Sequence, residues 1–353
     1  MGACGSSRTR ATAIAIGSLI GAALLSATTA SPATSAPPHG ASASRASHPA
    51  KHIATTRWGS HGLRSGRFEH ASYHAGIVIG RRPVHTSYND PYGPSGRLPY
   101  SRGRWVSPWV ATNFGATQLI ASYNASTPRG TFLEVSARGR TAAGRRSSWD
   151  SLGRWASHDV RFHRMSLGRQ GDDLSRVAVD TLITRRAVRF TSWQLRISLY
   201  RRTRSGKTPT VTRVAVVASR LPRSSPTSAP RSSSRHDLAV PKYSQQIHTG
   251  EYPQWDGGGE AWCSPTSTSM VLGYWNRLPR PRQYAWVNAS YRQPWVDYAA
   301  RNVFAWGYDG AGDWPFNTAY AGRFGLDAFV TRLRSLREAE LFIDKGIPLV
   351  ATI

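Results

Sequence analysis

The sequence predicts an α+β protein in two parts, a β-sandwich followed by a mainly helical domain, and three observations carry that prediction. Apolar and polar residues alternate in short runs between residues 57 and 221. A Pro/Ser/Arg-rich linker without apolar periodicity follows at 222–236. Beyond it, over 237–353, Trp and Tyr become frequent and the apolar spacing lengthens toward three and four.

The alternation is plainest in Trp193, Leu195, Ile197 and Leu199, separated by Gln194, Arg196 and Ser198. It recurs in Leu133, Val135 and Ala137, in Val177, Val179 and Thr181, and in Val214 and Val216. Side chains of a strand point alternately to opposite faces, so each run has one face to bury, and two sheets packed together bury several such faces at once. Turn residues separate the runs and no amphipathic helix of useful length intervenes. Ahead of them, residues 37–56 are rich in Ala, Ser, Pro and His and read as a disordered lead-in. Residues 1–36 have the layout of a secretory signal peptide: Arg8 and Arg10, an apolar stretch over 11–25, then small residues and prolines up to cleavage near Ala30 or Ala36. About fifteen apolar residues fall short of the ~20 that a spanning helix requires, so the expectation is an exported protein with no integral membrane segment after signal removal.

Charge divides along the chain in the same place. The formal net charge is +27, yet 237–353 holds 11 Lys+Arg and 11 Asp+Glu, so the whole excess lies upstream. A uniformly basic nucleic-acid binder would not divide this way, and no helix-turn-helix, zinc-finger spacing or RNP-like motif occurs; nucleic acid is not an expected partner. The cations are nearly all Arg, with Lys only at 51, 207, 242 and 345, which fits a base-composition bias as well as a surface that meets anionic cell-wall polymers. With Cys4 inside the signal, Cys263 is the one thiol of the mature chain. It is an accident, an intermolecular link or a reactive group.

The surroundings of Cys263 favour the reactive reading. Ser264 suits an N-cap and Pro265 a first helical position, and Ser267, Met270, Val271 and Tyr274 recur at helical spacing, so a helix should start at the cysteine. Unpaired N–H groups at such a start favour the thiolate, the form that attacks carbonyls. Gly257, Gly258 and Gly259 just upstream let a backbone and a substrate approach closely. Asp309 and Asp313 lack the remaining ligands of a calcium loop and read as a surface turn, and Gln170, Asp172 and Asp173 read as a plain turn more readily than as an ion or sugar site. No cofactor and no metal are expected.

At this point the residues carry a resemblance. VPKYSQ, then GGGEAWCSPTSTSM, GDWPFNTAYAGRFGL and GIPLVATI are similar to secreted actinobacterial proteins of the C39-like group, cysteine peptidase family 39, whose named members process bacteriocins. The similarity covers 237–353, and the sandwich resembles the accessory region found with such domains. It implies a papain-like cysteine peptidase acting on a peptide or protein substrate outside the cell, with Cys263 as nucleophile. Gln245, or Gln246 in the neighbouring register, would stabilise the oxyanion. Trp262, Gly258, Gly259 and Trp314 are the candidate substrate-binding residues, Trp262 being equally suited to core packing.

The family's base is a histidine on a strand after the helical half, oriented by an Asp or Asn. No histidine follows His248 here, and His248 lies on the same flank of the nucleophile. Residues 347–353 read as the first strand of the catalytic sheet. The expectation is therefore an incomplete papain-like domain, the helical half plus one strand, that lacks the base for hydrolysis. Two other readings are an NlpC-type murein endopeptidase and a cell-wall or carbohydrate-binding protein whose sandwich does the work beside a non-catalytic remnant.

Overall fold

The computed structural model describes residues 51–159, 162–168, 170–171, 174–223, 228–232 and 235–352. The signal-peptide reading of 1–36, the lead-in up to residue 50, and Asp172 and Asp173 lie outside these residues.

Alternation becomes strands, in chain order β1 (His52–Trp58), β2 (Arg67–Glu69), β3 (Ala71–Tyr73), β4 (Ile77–Ile79), β5 (Val84–Tyr88), β6 (Leu98–Val106), β7 (Val110–Ala116) and β8 (Gln118–Ser126). There follow β9 (Thr131–Arg140), β10 (Asp150–Trp155), β11 (Met165–Ser166), β12 (Ser175–Ala178), β13 (Thr181–Thr184), β14 (Phe190–Arg202) and β15 (Thr210–Arg220). They form two antiparallel sheets of seven and eight strands. In the larger, β14 pairs β9 on one side and β6 and β7 on the other; in the smaller, β15 pairs β8 on one side and β1 and β4 on the other. Trp193, Leu195, Ile197 and Leu199 of β14 are buried in the core between the sheets with Leu133, Val135, Val214 and Val216. The opposite face of β14 is drier than its polar residues suggest: Ser198 and Gln194 are buried, Gln194 accepting from Arg138 Nη2 at 2.7 Å and donating to Ser107 O at 3.0 Å.

Two expectations give way here. Val177, Val179 and Thr181 do not share a strand, because β12 ends at Ala178 and β13 begins at Thr181, with Val179 in the turn at φ +53°. A two-residue turn preserves the even spacing, so the alternation runs unbroken through a hairpin. The sandwich also begins earlier than residue 57: His52–Trp58 pairs along β15 from Arg220 to Val214, and a polar stretch becomes a strand because a sheet edge is there to receive it.

The helical part carries α1 (Cys263–Tyr274), α2 (Pro294–Val303), α3 (Trp314–Arg323) and α4 (Leu336–Ile343). The α+β class is therefore as expected. The strand anticipated at 347–353 is not formed through its last described residue, Thr352; Ile347 N closes the end of α4 on Phe342 O, and no strand among the described residues after 237 offers it a ladder. No helix among the described residues is long and apolar enough to cross a membrane.

The two parts meet in one buried cluster, and the helices keep a second one of their own around Trp262, Leu272 and Phe304. Ala305, and Phe316 and Ala319 of α3, join the buried cluster of the sandwich, and Gly322 packs so closely on β8 that a Cβ there would lie 2.7 Å from Asn124 Nδ2. Residues 328–334 then cross the smaller sheet as a strap. Asn124 Nδ2 donates to Ala328 O at 2.9 Å, Val330 N to Ser122 Oγ at 3.0 Å, and Arg334 to Ile53 O at 2.7 Å, with Thr55 and Thr331 hydroxyls 2.8 Å apart.

Arg164 holds the other side of the seam. It is 1% exposed and donates to Ala156 O at 3.0 Å, to Phe304 O at 3.3 Å and to Arg301 O, so it serves orphan carbonyls at the C-terminal end of α2. Burial pushes its pKa down to about 10, against the pull of Asp159. Replacing it by an apolar side chain leaves three buried acceptors without a donor. Arg164→Met is expected to lower the unfolding free energy by about 3 kcal/mol, and Arg164→Lys by somewhat less because an ammonium cannot span the same fork of carbonyls. Urea denaturation of the two variants checks this; wild-type midpoints would refute the role.

Candidate active site

Two pieces of chain meet at the start of α1. Residues 240–245 run along the helix from its far end to its beginning: a Cβ on Gly273 would meet Pro241 Cγ and Tyr243 Oη at 2.7 Å, and Gln245 Nε2 donates to Glu260 O at 3.2 Å, three residues ahead of Cys263. The second piece is the glycine loop. Gly257 and Gly258 adopt φ +76° and +102°, which a side chain would oppose. Gly259 lies on the Gln245–His248 turn, where a Cβ would be 2.3 Å from His248 C and 2.5 Å from Gln245 O. The close approach these glycines allow is thus to the protein's own chain, and Gly258 and Gly259 are both buried.

From this loop α1 starts at Cys263, as expected, but its N-cap is Trp262, with no side-chain cap, and Ser264 is already helical. Pro265 falls one turn in, where its missing N–H still has no intrahelical partner to lose. The first helical bond is Thr266 N to Trp262 O at 3.0 Å, leaving the N–H groups of the preceding residues at the front of the helix. Cys263 is exposed. The carboxamide of Gln245 has two N–H donors, and the bond to Glu260 O engages one. A flipped amide would set Oε1 against that carbonyl oxygen, so the donor orientation is the favourable one. The arrangement can therefore present a thiol, a helix front and a side-chain amide to one carbonyl group. Gln246, the alternative register, is exposed, and its backbone N–H donates to Ser244 Oγ at 3.3 Å.

The aromatic expectations fare differently. Trp262 does not line a cleft: it is 0% exposed, donates Nε1 to Trp255 O at 2.6 Å and lies against His248, so it anchors the helix start from inside. Trp314 packs against Ile53, Ile120, Val217 and Val330, filling the seam with the sandwich. The residue that sequence reasoning passed over is Tyr308. It is 39% exposed and lines a surface cleft with Tyr92, Met165, Leu167 and Val179, at the junction of sandwich and helices. Its hydroxyl pKa is raised by partial burial and then by the charges of Asp256, Asp313 and Asp180. Gly307, Gly310 and Gly312 around it were the available signal; a Cβ on Gly310 would meet Tyr308 Cε1 at 2.5 Å.

His248 is fully buried. Nδ1 bonds Glu251 Oε2 at 2.6 Å and lies 3.4 Å from Asp297 Oδ2. Burial opposes its charge, but the bonds to Asp297 and Glu251 outweigh that and raise its pKa; Glu251 is raised by burial, with His248 acting against the rise. An imidazole enclosed in this way is not placed as the base of Cys263. Gln170 is a structural link, accepting from Ser151 N at 3.0 Å through Oε1.

Asp313 is no surface residue. It caps α3, accepting from Phe316 N at 2.9 Å, while Asp180 Oδ2 approaches Trp314 N at 3.4 Å, so two carboxylates share one helix start. Burial, and then the charge of Asp180, raise the Asp313 pKa well above 3.8. A raised folded-state pKa gives stability that is present below the unfolded value and lost as pH climbs through the folded one. Asp313→Asn keeps the cap and removes that loss. The variant is expected to exceed wild type by roughly 1 kcal/mol or more above pH 7, with the gap closing toward pH 4; a gap independent of pH in thermal melts would refute the shared burial.

Residues 50–219 match the family model described as Peptidase C39 N-terminal domain, and residues 237–353 match the Peptidase_C39 like family. No curated protein matches the chain. The structure of infectious bursal disease virus Gx strain aligns at 9% identity over 52% of this chain and 37% of that one, with a TM-score of 0.22. A structure titled for the promiscuous specificity of carbohydrate-binding modules of the beta-sandwich super family aligns at 12% identity over 47% of this chain and 54% of that one, with a TM-score of 0.19. The aligned part thus spans 37% and 54% of those two proteins.

Proposed function

Starting from a chain that belongs to the C39-like peptidases of actinobacterial type, we propose that it is an exported thiol peptidase in which Cys263 attacks the carbonyl of a peptide substrate and Gln245 stabilises the resulting oxyanion. The observation that carries this reading is the bond from Gln245 Nε2 to Glu260 O, which holds the amide beside the segment that delivers the exposed thiol. The domain is read as the helical half of a papain-like fold. In support, the apolar side chains Leu336, Leu341, Ile347 and Val350 are 70%, 45%, 39% and 53% exposed.

With His248 enclosed by Glu251 and Asp297, the residues around Cys263 are proposed to supply a nucleophile without a placed proton carrier, so that acyl transfer to the thiol and cleavage of an amide are separable steps. An activated ester separates the two steps. Attack of the thiolate on a p-nitrophenyl ester forms the thioester and expels p-nitrophenolate, which needs no proton to leave. Wild type is expected to release about one equivalent of nitrophenolate in a burst and then turn over slowly. Cys263→Ala should show no burst, and Gln245→Ala a burst slowed roughly ten- to hundredfold. A burst that survives in Cys263→Ala, or is absent from wild type, would sink the assignment.

The sandwich is proposed to hold the protein on an anionic wall polymer. On the outer face of the larger sheet, Arg138 and Arg196 lie 4.4 and 4.6 Å over Trp149, and Arg140 lies 4.7 Å over Trp109 with Arg146 at 5.8 Å. None of these four arginines makes an ion pair among the described residues, and Arg138 has its pKa lowered by burial and then by Arg146 and Arg67. Arg138 also donates to Gln194, Arg140 to Ser192 and Arg196 to Ser136, and the remaining N–H groups of the stacked guanidiniums are the ones proposed to meet phosphate or carboxylate. Isolated wall teichoic acid should bind the full chain with an affinity that falls steeply as salt rises, and Arg138→Gln with Arg140→Gln should weaken it about tenfold. Equal binding of the double variant would remove the face from the proposal.

A further inference from the structure

His248, Glu251 and Asp297 each point one ligand atom inward, all within 4.8 Å of one another, and all three residues are buried. Their elements come from different parts of the fold: His248 ends the Gln245–His248 turn, Glu251 lies three residues on, and Asp297 sits in the first turn of α2. The hydrogen bonding is incomplete in a telling way. Nδ1 of His248 is hydrogen-bonded to Glu251 Oε2, and among the described residues neither carboxylate oxygen of Asp297, 0% exposed, receives a well-formed hydrogen bond, Oδ2 lying 3.4 Å from His248 Nδ1. A buried carboxylate without a donor is costly unless something positive reaches it. Glu251 serves only when it holds a proton, His248 stands at 3.4 Å, and no Lys or Arg forms an ion pair with Asp297 among the described residues.

We propose that His248, Glu251 and Asp297 form a binding site for one divalent transition-metal ion, Zn²⁺ foremost, which pins the turn carrying Gln245 to α2 behind the nucleophile loop. A neutral imidazole with two carboxylates carries a charge of −2, which one such ion cancels. One nitrogen and two oxygens suit Zn²⁺ or Mn²⁺; Ca²⁺ prefers six or more oxygens and Mg²⁺ keeps most of its water. Ligands bonded at about 2.0–2.2 Å to a shared ion lie about 3.0–3.4 Å apart, which fits the 3.4 Å from Nδ1 to Asp297; the 2.6 Å to Glu251 must open by about half an ångström or more, and Nδ1 must bind in its unprotonated form with the ring proton on Nε2. The Glu251 side chain, 10% exposed, is the way in; the other two are sealed. The site is structural: Trp262 lies against His248 at 5.8 Å between ring centroids, so the ion steadies the residue that precedes Cys263 from behind.

The test uses the full chain, purified, dialysed against chelator and then titrated separately with Zn²⁺, Mn²⁺ and Ca²⁺. Elemental analysis after gel filtration is expected to find close to one Zn²⁺ per chain, and the thermal midpoint should rise by about 5 °C with Zn²⁺ and not with Ca²⁺. Asp297→Asn and Glu251→Gln should each lose both effects. Should these variants fail to fold, Co²⁺ loading of wild type gives a separate readout through its visible absorption, which a site of this donor set must produce. Wild type that retains no stoichiometric metal and melts unchanged overturns the proposal and leaves a proton shared between Glu251 and Asp297. Metal retained equally by Asp297→Asn assigns it to exposed histidines and overturns it too. Neither result bears on the ester burst at Cys263, so the peptidase reading stands or falls separately.

Discussion

Gly259 has room for nothing beyond a hydrogen, and the candidate site rests on that restriction. Its backbone lies in van der Waals contact with the Gln245–His248 turn, and the neighbours on both sides follow from it. Upstream, the turn is held where one amide proton of Gln245 reaches Glu260 O; downstream, Trp262 is driven into the core and Cys263 emerges at the surface as the first residue of a helix. Two segments that approach from opposite sequence directions are thereby brought to one point without any side-chain bond between the two residues that matter. A methyl group in place of that hydrogen would push backbone against backbone, where no side chain can swing away.

The sandwich and the helices are one packed body, which changes how the accessory region is understood. Phe316 and Ala319 belong to the sandwich core, residues 328–334 lie across the smaller sheet, and the guanidinium of Arg164 closes the end of α2. The Pro/Ser-rich connection at 222–236 joins parts already joined by burial. The sandwich therefore positions α2 and α3, and through Thr268, bonded to Asn317 at 3.0 Å, it also positions α1. The cleft beside Tyr308 exists because the two parts meet there.

Much of this was legible in the sequence where one physical rule dominated. One-sided burial imposes period two, so β14 and β9 could be read from Trp193 to Leu199 and from Leu133 to Ala137. The same rule misled at Val179, since a tight hairpin keeps the parity that a strand has. Ser264 illustrates a preference overruled: its side chain suits a cap, but the glycine loop delivers the chain two residues early, and Trp262 takes the place. Gln245 was singled out through resemblance alone, and the structure shows its amide bonded to Glu260 O. Trp262 was ambiguous because an indole serves a cleft or a core equally well, and only burial decides. The cluster of His248, Glu251 and Asp297 was invisible because its third member lies far along the chain and is brought in by the packing of α2; nothing local to Asp297 marks it as inward-facing. The strap at 328–334 has no periodicity at all, its bonds being made to side chains and edges of another element.

The exposed apolar side chains of Leu336, Leu341, Ile347 and Val350 also bear on how copies of the protein meet one another. At low ionic strength a formal charge of +27 keeps them apart over roughly 10–30 Å. At about 1 M salt that repulsion shrinks to roughly 3 Å, while contact between oily surfaces is undiminished. High salt thus favours contact between such side chains on neighbouring molecules, and handling should favour dilute solutions whenever salt is high.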